Sequence, residues 1–211
     1  MEQSKYRFQV ILDDELHPIV NMEKDLALFS QVEEGIPIIY LRFYGWKEEC
    51  ISYGMNQKQQ EMSDYLKKVK VNTNLIHIKR PTGGGLVHHV PGDFTLSLIF
   101  PLKIWPKGSS LLSIYYDLSS CLNVALNTVG IDSELTKKTK AEYSEKKLNP
   151  ICKDYPAKYE ILLNHQKIVG SAQRKGRFAL LQQTHFFMDV EKQKYKLIDL
   201  LTNEYKMILL I

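Results

Sequence analysis

A run of three glycines, Gly83 to Gly85, follows Lys79 and Arg80 and precedes His88 and His89. Glycines adopt backbone angles that other residues avoid, and they let main-chain N–H groups approach a ligand closely. Such amides can bind a carboxylate or phosphate, and the guanidinium of Arg80 can bind the same anion. A tight connection between strands, with incidental charge, explains the run equally well. The spacing matches neither a phosphate-binding P-loop nor a dinucleotide-binding G-x-G-x-x-G motif.

A second candidate segment runs from Lys167 to Gln173 with the sequence Lys-Ile-Val-Gly-Ser-Ala-Gln. Its lysine lies on a predicted strand, and the small residues Gly170, Ser171 and Ala172 leave room for a ligand. The lysine can then reach a charged or polarised oxygen of that ligand. A surface lysine on a hairpin, followed by a turn, is the competing interpretation, and the residues alone slightly favour it.

A third candidate is Cys152, which lies in a charged segment with Lys153 and Lys158 close by in the sequence. Neighbouring ammonium groups favour the thiolate form of a cysteine, and a thiolate can hold an acyl group as a thioester. A spectator cysteine in a loop is the alternative. Cys121, by contrast, lies in a predicted helix.

Composition narrows the class of protein. The 211 residues are 44% hydrophobic and 25% charged, as in an ordinary globular chain with a real core. The net charge of +4 is too small to indicate nucleic acid, although it favours an acidic protein partner. Three cysteines suggest no disulfide framework, which predicts a cytoplasmic location. We find no membrane span, signal peptide or zinc-ligand spacing, so neither membrane binding nor a metal site is expected.

Strands are predicted to outnumber helices, without regular alternation, which indicates an α+β fold with a mixed or antiparallel sheet. The predicted strands are Tyr6–Leu12, Ile38–Tyr44 with Cys50–Tyr53 as its short neighbour, Leu75–Lys79, Phe94–Phe100, a hairpin over 159–170, and Ala179–Val190. The predicted helices are Asn21–Gln31 capped by Asn21, Ser63–Lys68, and Ser110–Val129 ending at Gly130. Residues 137–158 are predicted to form a loop, and the last twenty a short helix and a strand.

Taken in order, these segments resemble the lipoate–protein ligase A/B family. Its first motif, approximately R-R-x-x-G-G-G-x-V-x-H-D, is matched at Arg80, the three glycines, Val87 and His89, while Lys79 and Val90 depart from it. Its second motif, K-[IV]-x-G-[ST]-A-[QY], is matched by residues 167–173. Further similar stretches are 21–28, 42–46 and 52–57, so the resemblance covers about residues 20 to 190.

The resemblance implies a mixed central sheet flanked by helices, as in biotin–protein ligases, and a cleft that binds an acyl group. It implies a single catalytic domain over residues 1–211 without a separate C-terminal accessory domain. It assigns Lys167 to polarise the acyl carbonyl and Cys152 to carry the acyl group. His89 would support the pocket as a hydrogen-bonding histidine. The substrate-binding residues it implies are Arg80, Gly83, Gly84, Gly85, His89, Gly170, Ser171 and Ala172.

Three activities within the family remain open. Cys152, Pro156, Tyr159 and Glu160 resemble the C-x-x-x-P-x-x-Y-E pattern of cysteine-dependent octanoyltransferases, which need no cofactor. The first alternative is an ATP-dependent lipoate–protein ligase, which would use ATP and Mg. The second alternative is a catalytically degenerate acyl-binding or protein-binding member, suggested by Val90 and by Gln183 in a later stretch that departs from the family.

The resemblance also implies the partners. The acceptor would be the lipoyl domain of a 2-oxoacid dehydrogenase or the glycine cleavage H protein. The donor would be an acyl carrier protein or free lipoate or octanoate. No nucleic acid or membrane partner is expected.

Overall fold

The computed structural model describes residues 6–58, 66, 75–106, 108–137 and 157–210. Its strands are β1 Arg7–Leu16, β2 Ile38–Trp46, β3 Cys50–Tyr53, β4 Ile76–Lys79, β5 Val87–His89, β6 Thr95–Pro101, β7 Glu134–Leu135, β8 Ile161–Leu163, β9 Gln166–Lys175 and β10 Ala179–Phe186. Its α-helices are α1 Pro18–Glu33, α2 Leu111–Thr128 and α3 Lys194–Leu209. None of the helices in these ranges is long and apolar enough to cross a membrane.

The strands form two sheets. The large sheet has the order β1-β2-β6-β10-β9-β8-β7, and all its pairs are antiparallel except β1 with β2. The small sheet has the order β4-β3-β5, with β3 parallel to β4 and antiparallel to β5. The predicted α+β class with a mixed sheet is therefore confirmed. The prediction that Cys50–Tyr53 pairs beside Ile38–Tyr44 is wrong, since β3 belongs to the small sheet.

Helices cover both faces of the large sheet. On β6, Leu96, Leu98 and Phe100 pack into a large apolar cluster together with α2 and α3. Between them in sequence, Ile99 points to the opposite face and packs with Phe29 of α1. This alternation follows from the two-residue repeat of a β-strand, and it divides the core into one layer on each side of the sheet.

Helix α1 begins earlier than predicted. The side chain of His17 accepts a hydrogen bond from the Ile19 N–H at 3.3 Å, and Pro18 occupies the first helical position, where a missing N–H costs nothing. Asn21 is therefore not the cap. Its amide lies inside the fold and donates to the Gly45 carbonyl at 2.9 Å.

The C-terminal segment forms one helix, so the predicted short helix followed by a strand is wrong. Leu197, Leu201, Tyr205 and Leu209 recur every four residues and are all buried. This spacing places them on one face of α3, which packs against α2.

Glu33, near the end of α1, binds the turn that joins β9 to β10. Its carboxylate accepts hydrogen bonds from the N–H groups of Arg177, Phe178 and Ala179 at 2.6–3.0 Å. Burial raises the pKa of Glu33, but these three backbone hydrogen bonds outweigh it and hold the pKa below its usual value. A Cβ at Gly176 would clash with the same carboxylate and with the Phe29 ring, so a larger residue there would displace them.

Replacing Glu33 by glutamine is expected to lower the free energy of unfolding at pH 7 by about 1 kcal/mol or less, because solvent screens this partly exposed group. The lowered pKa means that the carboxylate stabilises the fold above its unfolded pKa. That contribution is lost as the pH falls through the folded pKa. Urea unfolding at pH 7 and at increasingly acid pH should show the difference between wild type and variant shrinking. A difference that stays constant with pH would contradict this role.

Candidate active site

The β8–β9 hairpin places Lys167 in the interior. Its two-residue loop, Asn164-His165, has φ angles of 50° and 65°, as a type I′ turn requires. Lys167 follows at the start of β9, and its Nζ lies 2.8 Å from the Glu160 carboxylate in a buried ion pair. The second oxygen of Glu160 accepts a hydrogen bond from the Ala157 N–H. The hairpin prediction is confirmed, whereas the expectation of a surface lysine is wrong.

Gly170 provides the space in which the lysine lies. A Cβ at this position would stand 2.7 Å from Cε and 3.0 Å from Nζ of Lys167, and 2.9 Å from the Phe187 ring. Contacts this short do not occur between ordinary side chains. The Lys167 amine also lies 5.5 Å from the centre of the Phe187 ring. Gly170 and Phe187 therefore fix where the amine can sit.

Replacing Gly170 by alanine is expected to displace the Lys167 amine and lower acyl transfer by about 10–100-fold, because small misplacements of a reacting group are that costly. Overpacking should also lower the free energy of unfolding by about 1–3 kcal/mol. The control is Lys175→Met, which changes an exposed side chain on the same strand. Steady-state rates and urea unfolding should be measured for both variants. Wild-type rates for Gly170→Ala would contradict the proposed placement.

Arg80 holds the glycine loop together. Its guanidinium donates to the Gly83 carbonyl at 3.0 Å, to the Gly85 carbonyl at 2.7 Å, and to Ser52 Oγ at 2.7 Å. Gly84 has a φ of +95°, which L side chains rarely adopt. The sequence suggested that Arg80 binds an anion. In the structure its guanidinium holds the glycine loop together through these contacts, and Arg80 also borders the neighbouring cavity.

Gly54 makes room for the same loop. A Cβ there would stand 2.3 Å from the Gly84 carbonyl oxygen and 2.8 Å from the Gly83 carbonyl carbon. Because these are backbone atoms, a side chain at position 54 would force the loop to move.

The two sequence motifs meet at a small cavity. A Cβ on Gly84 would lie 3.6 Å from the Ala172 side chain, so the glycine loop rests against β9. The cavity measures about 30 Å³, roughly the volume of one water molecule. Of the predicted site residues, five line it: Arg80, His89, Gly170, Ser171 and Ala172. An eight-carbon acyl chain is much larger than this cavity, so the side chains that line the cavity must move to admit one.

Aromatic rings form one wall of this cavity. His89 stacks on Trp46 with ring centres 3.7 Å apart, and His185 meets His89 edge-on at 4.6 Å. Burial, with smaller effects from His185 and Arg80, holds the pKa of His89 well below its usual value, so it is neutral at pH 7. His89 Nε2 lies 2.6 Å from Ser52 Oγ. The role of His89 in supporting an acyl pocket stays a prediction.

Next to the site is a buried network of charged and polar side chains that the sequence did not predict. Arg42, in the apolar strand β2, forms ion pairs with Asp25 and Asp13, each at 2.7 Å. Gln183 donates to Asp25 at 2.7 Å, and its amide oxygen accepts from the Thr82 hydroxyl at 2.7 Å. The network therefore connects α1 to the start of the glycine loop. A charged residue within an apolar strand was the available signal, because a buried charge needs a partner.

A larger groove of about 780 Å³ lies on the other side of Phe187. It is strongly acidic: the carboxylates that line it are Asp13, Asp14, Glu15, Asp93, Asp189 and Glu191. Lys194 is its one lysine or arginine among the described residues.

Two sequence predictions fall outside the described part of the chain. Cys152 lies within residues 138–156, as does most of the loop predicted for 137–158. The helix predicted at Ser63–Lys68 is described only at Leu66, which is buried and helical.

The lipoyl protein ligase A/B catalytic domain matches residues 17–206. The chain belongs to this family. One member of the lipoyl protein ligase A/B family is the octanoyltransferase LipM of Clostridioides difficile strain 630. It is 31% identical to this chain over 201 residues, covering 95% of this chain and 73% of that protein.

Two solved lipoate-protein ligases have the same fold. Lipoate-protein ligase A bound with ATP superposes with a TM-score of 0.68 at 18% identity, over 97% of this chain and 85% of that one. The bi-partite lipoate protein ligase of Thermoplasma acidophilum, from a structural analysis that includes its E2 lipoyl domain, superposes with a TM-score of 0.66 at 18% identity. The match covers 97% of this chain and 84% of that one. At this identity the likeness establishes the fold.

The predicted family and the prediction of an acyltransferase or ligase are thereby confirmed. The chain spans 62% to 73% of the length of the curated relatives it matches, which share the name octanoyltransferase LipM.

Proposed function

We propose that this chain transfers an octanoyl group to a lysine of a lipoyl domain, through an acyl-thioester on Cys152. The observation that carries the proposal is the buried Lys167 amine, packed against Gly170, which lines the cavity where the glycine loop meets β9. This arrangement provides a fixed cation close to a small cavity, as stabilisation of a developing oxyanion requires. The curated relatives named octanoyltransferase favour the octanoyl group over the lipoyl group.

In the first step, the Cys152 thiolate attacks the carbonyl carbon of an octanoyl thioester on an acyl carrier protein. The negative charge that develops on the carbonyl oxygen is stabilised by the Lys167 ammonium and by backbone amides. The bond to the carrier's sulfur then breaks, and the carrier leaves as a thiolate that takes a proton from solvent. Cys152 precedes Ala157 by five positions, a separation of at most about 18 Å for an extended chain. Ala157 is hydrogen-bonded to Glu160, the partner of Lys167.

In the second step, the neutral ε-amine of the acceptor lysine attacks the Cys152 thioester. The same oxyanion site stabilises the second tetrahedral intermediate. The carbon–sulfur bond breaks, Cys152 is released as a thiolate, and the amine loses its proton to solvent as the amide forms. No cofactor is consumed in either step.

The alternative is an ATP-dependent ligase, which the solved lipoate-protein ligases of the same fold support. It would need a place for a triphosphate and Mg. Carboxylates in the large groove could hold Mg, but with one lysine against six carboxylates the groove offers little positive charge for a triphosphate itself. This charge pattern, with Cys152 in the sequence, favours the transferase.

A catalytically degenerate, purely binding member is the remaining candidate. This candidate was suggested by Val90 and Gln183, where the sequence departs from the family's motifs. Gln183 hydrogen-bonds to both Thr82 and Asp25, so its difference from the family is explained by a structural contact. Val90 lies on the surface, where its side chain is 39% exposed.

An acylation assay on a lipoyl domain separates the candidates. One arm supplies octanoyl-acyl carrier protein without nucleotide, and a parallel arm supplies lipoate with ATP and Mg. We expect product in the first arm, lost in Cys152→Ser. Product only in the second arm, with pyrophosphate release, would establish the ligase instead. Binding of the lipoyl domain without product in either arm would establish the degenerate member.

The choice between a lipoyl domain of a 2-oxoacid dehydrogenase and the glycine cleavage H protein stays a prediction, as does the acyl carrier donor. A cytoplasmic location and a single-domain organisation over residues 1–211 also stay predictions.

A further inference from the structure

Two side chains from one strand and its following turn meet a third from a distant strand at the edge of the small cavity. His89 lies on β5, Asp93 in the following turn, and His185 near the end of β10. Ligand atoms of all three lie within 4.8 Å of one another, and Nε2 of His185 is 3.6 Å from the Asp93 carboxylate. Two imidazoles and one carboxylate form a common ligand set for borderline divalent metals. We propose that His89, Asp93 and His185 bind one Zn²⁺-like divalent cation.

An orphaned nitrogen indicates a ligand at this position. His89 is only 2% exposed, yet its Nδ1 has no hydrogen-bond partner among the described residues. A buried polar atom without a partner is costly, so such an atom calls for an explanation. Its other nitrogen, Nε2, is already engaged by Ser52 Oγ, so Nδ1 is the atom left to bind a cation.

Both histidines have the hydrogen bonds that metal ligands usually have. With a cation on His89 Nδ1, the Nε2–H donates to Ser52 Oγ at 2.6 Å. With a cation on His185 Nε2, the Nδ1–H donates to Thr95 Oγ1 at 3.1 Å. Such contacts fix the tautomer and orientation of a ligating imidazole. The hydroxyls therefore take up Nε2 of His89 and Nδ1 of His185, so a cation would bind the opposite nitrogen of each ring.

The site can close around an ion with a small movement. Zn²⁺ binds nitrogen and oxygen at about 2.0–2.2 Å, so its ligand atoms lie about 3.3–3.5 Å apart. The Asp93–His185 separation is already near this value. All three ligand atoms lie within 4.8 Å of one another, so closing the site requires shifts of about 1.5 Å or less, to which the turn at Gly92 and Asp93 can contribute. Imidazole ligands favour Zn²⁺ and its neighbours over Mg²⁺ and Ca²⁺.

The test is titration of untagged, chelator-treated protein with Co²⁺, followed by its visible absorption, with Zn²⁺ as competitor. We expect one equivalent to bind and to raise the melting temperature, since an ion that binds only the folded state stabilises it. His185→Gln should weaken Co²⁺ binding by about 100-fold or more. Asp93→Asn should weaken it by about tenfold or more, and its amide oxygen can still accept from Val90 N–H, which preserves the turn.

Two controls locate the site. His88→Gln changes the adjacent histidine, which is half-exposed and pairs with Glu49 at 2.7 Å, and should bind Co²⁺ within about twofold of wild type. Cys152→Ser should also keep its affinity, because no thiolate is involved. Absence of one-equivalent binding, unchanged binding by folded Asp93→Asn, or loss of binding in Cys152→Ser would overturn the proposal.

Discussion

Replacing Lys167 by methionine is expected to lower kcat for acyl transfer by about 100–1,000-fold, the usual cost of removing one oxyanion-stabilising group. Methionine keeps a long unbranched side chain that fits over Gly170, so the effect isolates the charge. The same change leaves the buried Glu160 carboxylate without its ammonium partner. A buried charge stripped of its partner costs about 3–5 kcal/mol, so the variant should also be less stable.

A double variant separates these two effects. Lys167→Met combined with Glu160→Gln removes both charges, so most of the stability should return while the activity stays lost. Lys175→Met on the same strand changes an exposed lysine and should leave kcat within about twofold of wild type. Recovery of activity in the double variant would show that Lys167 matters only for folding and would contradict its proposed role.

Replacing Arg42 by methionine should have the largest effect on stability. Its side chain is fully buried and joins Asp25, also fully buried, to Asp13. Without the guanidinium, Asp25 becomes an uncompensated buried charge, which costs about 3–5 kcal/mol. That is a large part of the 5–15 kcal/mol by which proteins of this kind are stable. Urea unfolding followed by circular dichroism measures the loss.

The partner substitution tests the cause. Asp25→Asn added to Arg42→Met removes the unpaired charge and should restore part of the lost stability. Arg7→Met, on the exposed edge of β1, should change the free energy of unfolding by no more than about 0.5 kcal/mol. If the double variant is no more stable than Arg42→Met, then the cost arises from packing and not from the charge.

The sequence predicted the parts of the fold whose pattern is local. The alternation in Phe94–Phe100 and the apolar face of Ser110–Val129 led to β6 and α2 within one or two residues. The family resemblance implied a single cleft, and the loop at Gly84 of the first motif does lie against Ala172 of the second. Glycine and lysine positions in the two motifs could be recognised from sequence because few other residues adopt the same backbone angles or provide the same amine.

What the sequence did not predict depends on contacts between distant segments. Every residue of Cys50–Tyr53 is buried, so its pattern carries no information about which strand it pairs with. Nothing local shows that Glu160 and Lys167 form a buried pair, or that His185 approaches His89 across 96 positions. Such contacts are set by sheet order, which is decided by the packing of the whole domain.

The most direct test of the central claim is intact-mass spectrometry after mixing the protein with octanoyl-acyl carrier protein, before any acceptor is added. We expect one octanoyl adduct on wild type, sensitive to hydroxylamine as a thioester is, absent from Cys152→Ser, and formed much more slowly by Lys167→Met. Addition of a lipoyl domain should then discharge the adduct and acylate the domain. No adduct on wild type, or an equal adduct on Cys152→Ser, would contradict the mechanism.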